Sequence, residues 1–245
     1  MANSLFSIDE NLLFPDAFNA LHNHFKSREG FEAEYKRIPD KMKIRFLRLA
    51  SIYKNLVKDG KFSVPPEALP NITFNYYDLT YKYIALISII EAVVGKDKWL
   101  DFYEWLKHTK VVSIKNKTEL DALYKTYKSE YGVIKNKVRF FQTLDDEEKE
   151  FLKTKLVQYR VAKGKAAKFD SEINDLANLL YDIRSDFVHE ARLIIGFGGI
   201  PAFTANRKRG KPFASNLSLP QLMRIFERSF IRYFGMQPEH KIPLF

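Results

Sequence analysis

The apolar run from Tyr83 to Val94 constrains the fold of this chain more than any other stretch, and it ends a helical pattern that begins at Thr73. After Tyr83, apolar residues fall on nearly every side of the predicted helix, whereas a surface helix shows a single apolar stripe. The run has twelve residues, and a helix needs about 20 to cross a bilayer. It therefore predicts a helix that other helices surround, ending at Gly95, a residue typical of helix C-termini.

Glu91 lies inside this apolar run. A buried carboxylate needs a partner, because removing an unpaired charge from water is costly. Two interpretations are open. Glu91 is a solvent-edge residue in the last helical turn, or it supports a buried arginine through an ion pair. Arg184 is the natural candidate for that arginine.

A second helical pattern spans residues 174–193 and places polar side chains opposite a core-facing stripe. The stripe consists of Ile173, Leu176, Leu180, Ile183, Phe187 and Ala191. Asn178, Asp182, Ser185 and His189 fall on the other face, and Arg184 lies at the edge of the stripe. Five residues along an ideal helix separate Arg184 and His189 by about 140°. Either the helix ends or bends near His189, or a second chain completes a shared site.

The remaining pattern predicts a helical chain in two parts. Prolines at 65, 66 and 70 place a boundary at 60–72, because clustered prolines interrupt regular structure. Residues 1–70 then form an N-terminal helical accessory region, and residues 71–245 form a helical bundle. Further helices are predicted over 41–57, 98–108, 119–131, 144–160 and 217–235, with a basic loop at 161–168 and an irregular segment at 194–216. The first half of that segment fits a short hairpin or an extended loop. The predicted class is all-α.

Several classes of function lack the residues that they require. The chain has no cysteine, which excludes disulfides, cysteine–zinc sites and a cysteine nucleophile. His22 and His24 have no third ligand at a useful spacing and are interpreted as surface or packing residues. Catalytic serine, zinc-protease and phosphate-loop motifs are all missing from the sequence. We therefore expect no metal and no cofactor, and a cytoplasmic protein that does not cross a membrane.

Positive charge is concentrated near the C-terminus. Between Thr204 and Arg232, seven basic residues and one acid, Glu227, supply +6 of the chain's net +10. The basic residues are Arg207, Lys208, Arg209, Lys211, Arg224, Arg228 and Arg232. The last three recur every four residues, which predicts one basic side of the final helix and an electrostatic site for phosphate. RNA is the expected partner, with a solvated helix face or an acidic protein partner as alternatives. The acidic run Asp145–Glu148 precedes a predicted helix and is interpreted as structural, since acids suit helix N-termini.

The string LYDIRSDFVH, which contains Arg184 and His189, resembles the R-x(4–6)-H signature of the HEPN superfamily (higher eukaryotes and prokaryotes nucleotide-binding). The earlier apolar helix ending in IIEAVVG is similar to the first bundle helix of the Apea-like branch. An irregular segment and a final helix opening with LSLPQLMRIF follow in the same order. The resemblance covers roughly residues 73–235.

The resemblance implies a four- to five-helix bundle that forms a homodimer. Many family members are metal-independent endoribonucleases, some acting in stress or phage defence, in which the arginine and histidine of two chains converge. Others are non-catalytic scaffolds or nucleotide binders. Arg184 and His189 are the implied catalytic pair, and Ser185 or Asp186 would orient His189 or contact the ribose. Many members carry Asn, Asp or His directly after the arginine, whereas this chain has Ser185 there.

Overall fold

The computed structural model describes residues 10–61, 71–95, 100–109, 113–162, 165–190, 202–204 and 212–244. Its α-helices are α1 Glu10–Leu21, α2 Arg28–Arg37, α3 Asp40–Tyr53, α4 Asn71–Val94, α5 Phe102–His108, α6 Lys117–Tyr131, α7 Val133–Gln142, α8 Asp146–Lys155, α9 Ile173–Glu190 and α10 Leu219–Tyr233. A 3₁₀ turn, His22–His24, follows α1, and a π-helical turn, Lys54–Lys58, follows α3. The prediction of a predominantly helical chain built as a bundle is confirmed.

Helix α4 is the centre of the bundle, as its apolar run predicts. Helices α3, α7, α9 and α10 all contact it. Its buried side chains include Tyr83, Leu86, Ile87, Ile90 and Val93. The Tyr83 hydroxyl donates a hydrogen bond to the Leu180 carbonyl of α9, so a buried polar group is satisfied and α9 is fixed to the central helix.

Helix α10 joins the N-terminal helices to the same hydrophobic core. Phe46 of α3 stacks on Phe230 with ring centroids 5.3 Å apart. Tyr53 lies 4.7 Å from the ring of Phe226. Helix α3 therefore packs against α10 through aromatic contacts, which are favourable beyond the area they bury. The proline-rich stretch 62–70 lies outside the described residues, and the two-part division stays a prediction.

A small antiparallel sheet corrects the sequence prediction for residues 144–168. Helix α8 ends at Lys155, and the chain continues as β1 Leu156–Ala162 and β2 Lys165–Phe169 rather than as a longer helix and a loop. In β1, Leu156 and Gln158 are buried while Val157 and Tyr159 are half-buried. This alternation, together with β-branched and aromatic residues, favours a strand.

Two further strands complete the sheet. They are β3 Ala202–Thr204 and β4 Phe213–Ser215, and the order across the sheet is β2-β1-β4-β3. Strand β4 pairs with β1, Val157 lying opposite Ala214, and β3 pairs antiparallel with β4. Strand β3 lies in the first half of 194–216, for which a short hairpin or an extended loop is predicted, whereas its partner β4 lies in the second half.

Candidate functional site

Helix α9 carries the predicted catalytic residues and continues without interruption from Ile173 to Glu190. Leu176, Leu180 and Ile183 are buried, which confirms the core-facing stripe over the described part of the helix. Phe187 packs edge-on against Tyr81 of α4, with ring centroids 6.0 Å apart. Arg184 and His189 therefore lie on one helix, with His189 in its last turn.

Arg184 is a half-buried cation beneath an aromatic ring. Its Cζ lies 5.9 Å from the centroid of the Tyr181 ring, which is within the range of a cation–π contact. The Nε atom is buried and has no hydrogen-bond partner. Among the residues that the structure describes, no carboxylate forms an ion pair with this guanidinium. Arg184 thus keeps positive charge and unused donors near the end of α9.

Glu91 does not form the predicted ion pair with Arg184, although both charges act on Tyr181. Burial raises the pKa of the Tyr181 hydroxyl, the negative charge of Glu91 raises it further, and the positive charge of Arg184 opposes them. Glu91 is half-buried. The central helix therefore places a carboxylate near the arginine of α9 without neutralising it by direct contact.

The other predicted residues of α9 differ in accessibility. His189 is exposed, whereas Ser185 and Asp186 are half-buried. Val188, beside the histidine, is 48% exposed. Arg184 is half-buried, and within the described residues no contact joins its side chain to that of His189. The shared site made by two chains stays a prediction.

Two of the three arginines of α10, Arg228 and Arg232, pair with carboxylates instead of forming the predicted phosphate surface. Arg228 is only 2% exposed. Its guanidinium lies 3.1 Å from Asp145, 3.1 Å from Glu147 and 2.9 Å from Glu148. A buried guanidinium surrounded by three carboxylates is neutralised and has no room for a nucleic-acid phosphate. The prediction that Arg228 binds nucleic acid is therefore wrong.

Arg232 and Lys241 extend the same ionic cluster. Arg232 contacts Asp145 at 3.4 Å and also pairs with Glu148. Lys241 lies 3.6 Å from Asp145 and pairs with Glu147. Asp145 caps α8 through a capping box with Glu148, which confirms the structural interpretation of this acidic run. We call this set, Asp145, Glu147, Glu148, Arg228, Arg232 and Lys241, the α8–α10 cluster.

Only part of the predicted basic surface can be placed. Arg224 is half-buried and its Nη1 donates to the Pro243 carbonyl at 3.1 Å. Arg207, Lys208, Arg209 and Lys211 lie outside the described residues, and their role in binding RNA stays a prediction. The structure therefore removes Arg228 from the predicted phosphate site.

Glu227, the single acid of the basic segment, is buried in a second polar network. It accepts hydrogen bonds from the Tyr53 hydroxyl at 2.7 Å, His24 Nε2 at 3.0 Å and Lys58 Nζ at 3.3 Å. Burial raises the pKa of Glu227, but the His24 hydrogen bond, the Lys58 charge and the Tyr53 hydrogen bond outweigh it, so the pKa lies below its usual value. His24 is fully buried, which confirms its interpretation as a packing residue.

Sequence reasoning missed an aromatic cluster between α5 and α6. Phe102 of α5 lies 5.2 Å from Tyr124 and 5.3 Å from Tyr127 of α6. Trp105 lies 5.8 Å from Tyr127. The available signal was the spacing of Tyr124, Tyr127 and Tyr131 by three and four residues, which places aromatic rings on one helix face.

The described helices include none long and apolar enough to span a bilayer. In the same part of the chain, no group of three or more histidine or acidic residues is arranged to hold a metal ion. The chain matches no family model, no curated protein and no solved structure. The resemblance to the HEPN superfamily therefore rests on the residues quoted from the sequence.

Proposed function

We propose that this chain is a metal-independent endoribonuclease of the HEPN type, acting as a dimer through Arg184 and His189. One observation carries the proposal. Arg184 is half-buried and has no ion pair within the described residues, and the exposed His189 follows it by five residues on the same helix. Guanidinium donors suit phosphate oxygens, and an exposed histidine can transfer protons near neutral pH.

The reaction needs three groups that two copies of α9 supply. The ribose 2′ oxygen attacks the adjacent phosphorus, the bond from phosphorus to the 5′ oxygen breaks, and a 2′,3′-cyclic phosphate forms. One His189 accepts the 2′ proton, and the His189 of the second copy donates a proton to the leaving 5′ oxygen. Arg184 holds a non-bridging phosphate oxygen while charge accumulates there. One histidine per chain explains why the active form is a dimer.

The surface around His189 suits contact with a second copy. Val188 is 48% exposed and Tyr81 is 42% exposed, and the Tyr81 ring rests on Phe187 next to Val188. A twofold axis near this end of α9 would bury these apolar side chains and bring both histidines into one cleft. Ser185 and Asp186 are near enough in sequence to orient His189 or to contact the ribose.

We also propose a cellular location and a biological role for the protein. A cysteine-free chain is suited to the cytoplasm, where RNA substrates are abundant. The resemblance to the HEPN superfamily favours a role in stress or phage defence. In that role, cleavage of cellular or foreign RNA would require no bound metal.

The test is RNA cleavage by the purified protein in the presence of EDTA, with single-stranded RNA and transfer RNA as substrates. We expect cleavage by the wild type and a loss of at least about 100-fold in Arg184→Ala and His189→Ala, since general acid–base groups contribute about 10²–10⁴ in rate. The matched control is His108→Ala, because His108 is also an exposed histidine at the end of an α-helix.

Two outcomes would contradict the proposal. Intact RNA after incubation with the wild type would exclude metal-independent cleavage, and RNA binding without cleavage would instead favour a non-catalytic binding module. Equal loss of activity in His108→Ala would show that the His189 effect is not specific to this site.

A further inference from the structure

Helix α6 lies almost wholly outside the hydrophobic core. Within Lys117–Tyr131 no residue is buried, although the helix has fifteen residues. It is held against α5 by ring contacts and by the Tyr127 hydroxyl, which donates to the Leu100 carbonyl at 3.0 Å. Most of the surface of α6 is therefore accessible to solvent or to a ligand.

Three tyrosines of α6 form a row of nearly parallel rings, which we call the tyrosine ladder: Tyr124, Tyr127 and Tyr131. The Tyr124 and Tyr127 rings lie 6.2 Å apart with planes inclined by 17°. Tyr127 and Tyr131 lie 5.5 Å apart at 15°. Phe102 meets Tyr124 edge-on at 5.2 Å, which restricts the orientation of that ring. Tyr124 is 42% exposed, so an oriented aromatic ring is open to a ligand.

Lysines without ion pairs accompany the exposed end of the tyrosine ladder. Lys117, Lys125 and Lys128 are exposed and lie within about 100° of Tyr124 around the helix axis. None of the three has an ion pair within the described residues. The Lys128 ammonium lies 4.4 Å from the centroid of the Tyr124 ring. Positive charge is thus held next to an accessible aromatic ring.

Acidic residues near α6 do not cancel this charge. Glu119 accepts a hydrogen bond from the Lys115 backbone N–H at 2.8 Å, so its carboxylate is directed to the start of the helix. Asp121 is exposed and lies on the same side of α6 as the three lysines.

Glu130 lies about 120° from Tyr124 around the helix axis. Asp101 caps α5 by accepting a hydrogen bond from the Glu104 backbone N–H at 2.8 Å, although its charge also acts on Tyr127. The excess of positive charge is therefore confined to the surroundings of Tyr124, where three lysines accompany one carboxylate of α6 and suit a polyanion.

From this combination we infer that the α5–α6 face is a binding site for single-stranded nucleic acid. Bases stack on the tyrosine ladder, beginning at Tyr124, while Lys117, Lys125 and Lys128 contact phosphates. Unpaired bases expose the faces that aromatic rings require, whereas a duplex hides them. A protein partner fits less well, because the centres of protein interfaces are depleted in lysine. The inference does not depend on cleavage at Arg184 and His189.

The experiment measures, by fluorescence anisotropy, the binding of a labelled oligothymidine of about twelve nucleotides, a length within the range of known single-strand binding sites. DNA lacks the 2′-hydroxyl, so the probe survives even if the protein cleaves RNA. We expect Tyr124→Ala to weaken binding by about 5- to 150-fold, the range for loss of one stacked base, and Tyr124→Phe to restore it. Lys128→Gln should reduce the slope of log affinity against log salt by about 0.7.

The matched control is Tyr103→Ala. Tyr103 is 67% exposed on α5 and also has a lysine, Lys107, 4.3 Å from its ring centroid, but it makes no ring contact with the tyrosine ladder within the described residues. Its loss should leave affinity unchanged. The inference is overturned if Tyr124→Ala binds like the wild type, if the two tyrosine variants weaken binding equally, or if the wild type does not bind the probe at low salt. The last result would favour a protein partner for this face.

Discussion

Helices α9 and α10 both carry arginines that the sequence marks as functional, yet their surroundings are opposite. On α10, Arg228 is buried against three carboxylates from the start of α8. On α9, Arg184 is partly accessible and has no ion pair in the described part of the chain. The difference shows that a dense run of basic residues need not form an open anion site, because acids from another helix can neutralise it.

The sequence does not reveal that the α10 arginines are neutralised, because the acids that pair with them are distant in sequence. Glu148 lies 84 positions before Arg232, and only the fold brings them together. Burial of a guanidinium is favourable only when carboxylates and hydrogen bonds compensate for lost hydration. The α8–α10 cluster supplies three carboxylates to Arg228 and joins α8, α10 and the segment around Lys241, while Nε and Nη1 of Arg228 have no hydrogen-bond partner of normal geometry. We therefore propose that the α8–α10 cluster stabilises the fold and that Arg184 serves the proposed RNA cleavage.

The largest expected effect comes from removing the buried carboxylate of the α8–α10 cluster. Glu148 is fully buried and pairs with both Arg228 and Arg232. Glu148→Gln leaves buried positive charge uncompensated and should lower the free energy of unfolding by about 3–5 kcal/mol, as in other broken buried pairs. Urea denaturation measures the loss.

Asp146→Asn is the matched control for this substitution. Asp146 lies two residues earlier in α8, its side chain is fully exposed, and its nearest cation, Lys149, is 4.0 Å away. Its unfolding midpoint should remain that of the wild type. Equal behaviour of the two variants would show that the α8–α10 cluster does not stabilise the fold.

A smaller and pH-dependent effect is expected at Glu227. Glu227→Gln weakens the hydrogen bonds from His24 and Tyr53 and the attraction to Lys58, and should cost about 1–3 kcal/mol near neutral pH. The pKa of Glu227 lies below the unfolded value of 4.5. Its contribution is therefore complete above pH 4.5 and is lost as the pH falls through the lower folded pKa.

Denaturation of both proteins at about pH 7 and about pH 3 checks the sign of this effect. The stability difference between wild type and Glu227→Gln should shrink on acidification. A difference that stays constant or grows would mean that the ionised carboxylate does not stabilise the native state.

The smallest effect concerns the attachment of α9. Tyr83→Phe removes the hydrogen bond to the Leu180 carbonyl and should cost about 0.5–1.5 kcal/mol, the usual net value of one hydrogen bond. Tyr103→Phe, on the exposed side of α5, should leave stability unchanged. A loss for Tyr83→Phe as large as that for Glu148→Gln would place α9, rather than the α8–α10 cluster, at the centre of the fold's stability.

Much of the helical framework was predictable because its signals are local. The apolar run of α4 and the stripe of α9 depend on residues within a few turns of one another. Ser218 forms a capping box with Gln221, as expected for a serine before a helix. Helices α2 and α7 were not predicted.

The sheet and the ionic clusters could not be predicted in this way. Strand β1 needs β4, which lies more than fifty residues later, and no pattern within β1 specifies that partner. The same holds for Glu227, whose partners His24 and Tyr53 come from the first quarter of the chain. For the candidate site, the sequence predicted Arg184 and His189 as catalytic residues. Only the structure showed that Arg228 is paired with carboxylates whereas Arg184 is not, within the described residues.

The most direct test of this account compares Arg184→Ala with Arg228→Met in two assays, urea denaturation and RNA cleavage in EDTA. Arg184→Ala should unfold like the wild type and lose at least about 100-fold in cleavage. Arg228→Met should lose stability while its folded molecules cleave at the wild-type rate. The account is contradicted if Arg184→Ala cleaves normally, or if Arg228→Met remains stable but no longer cleaves RNA.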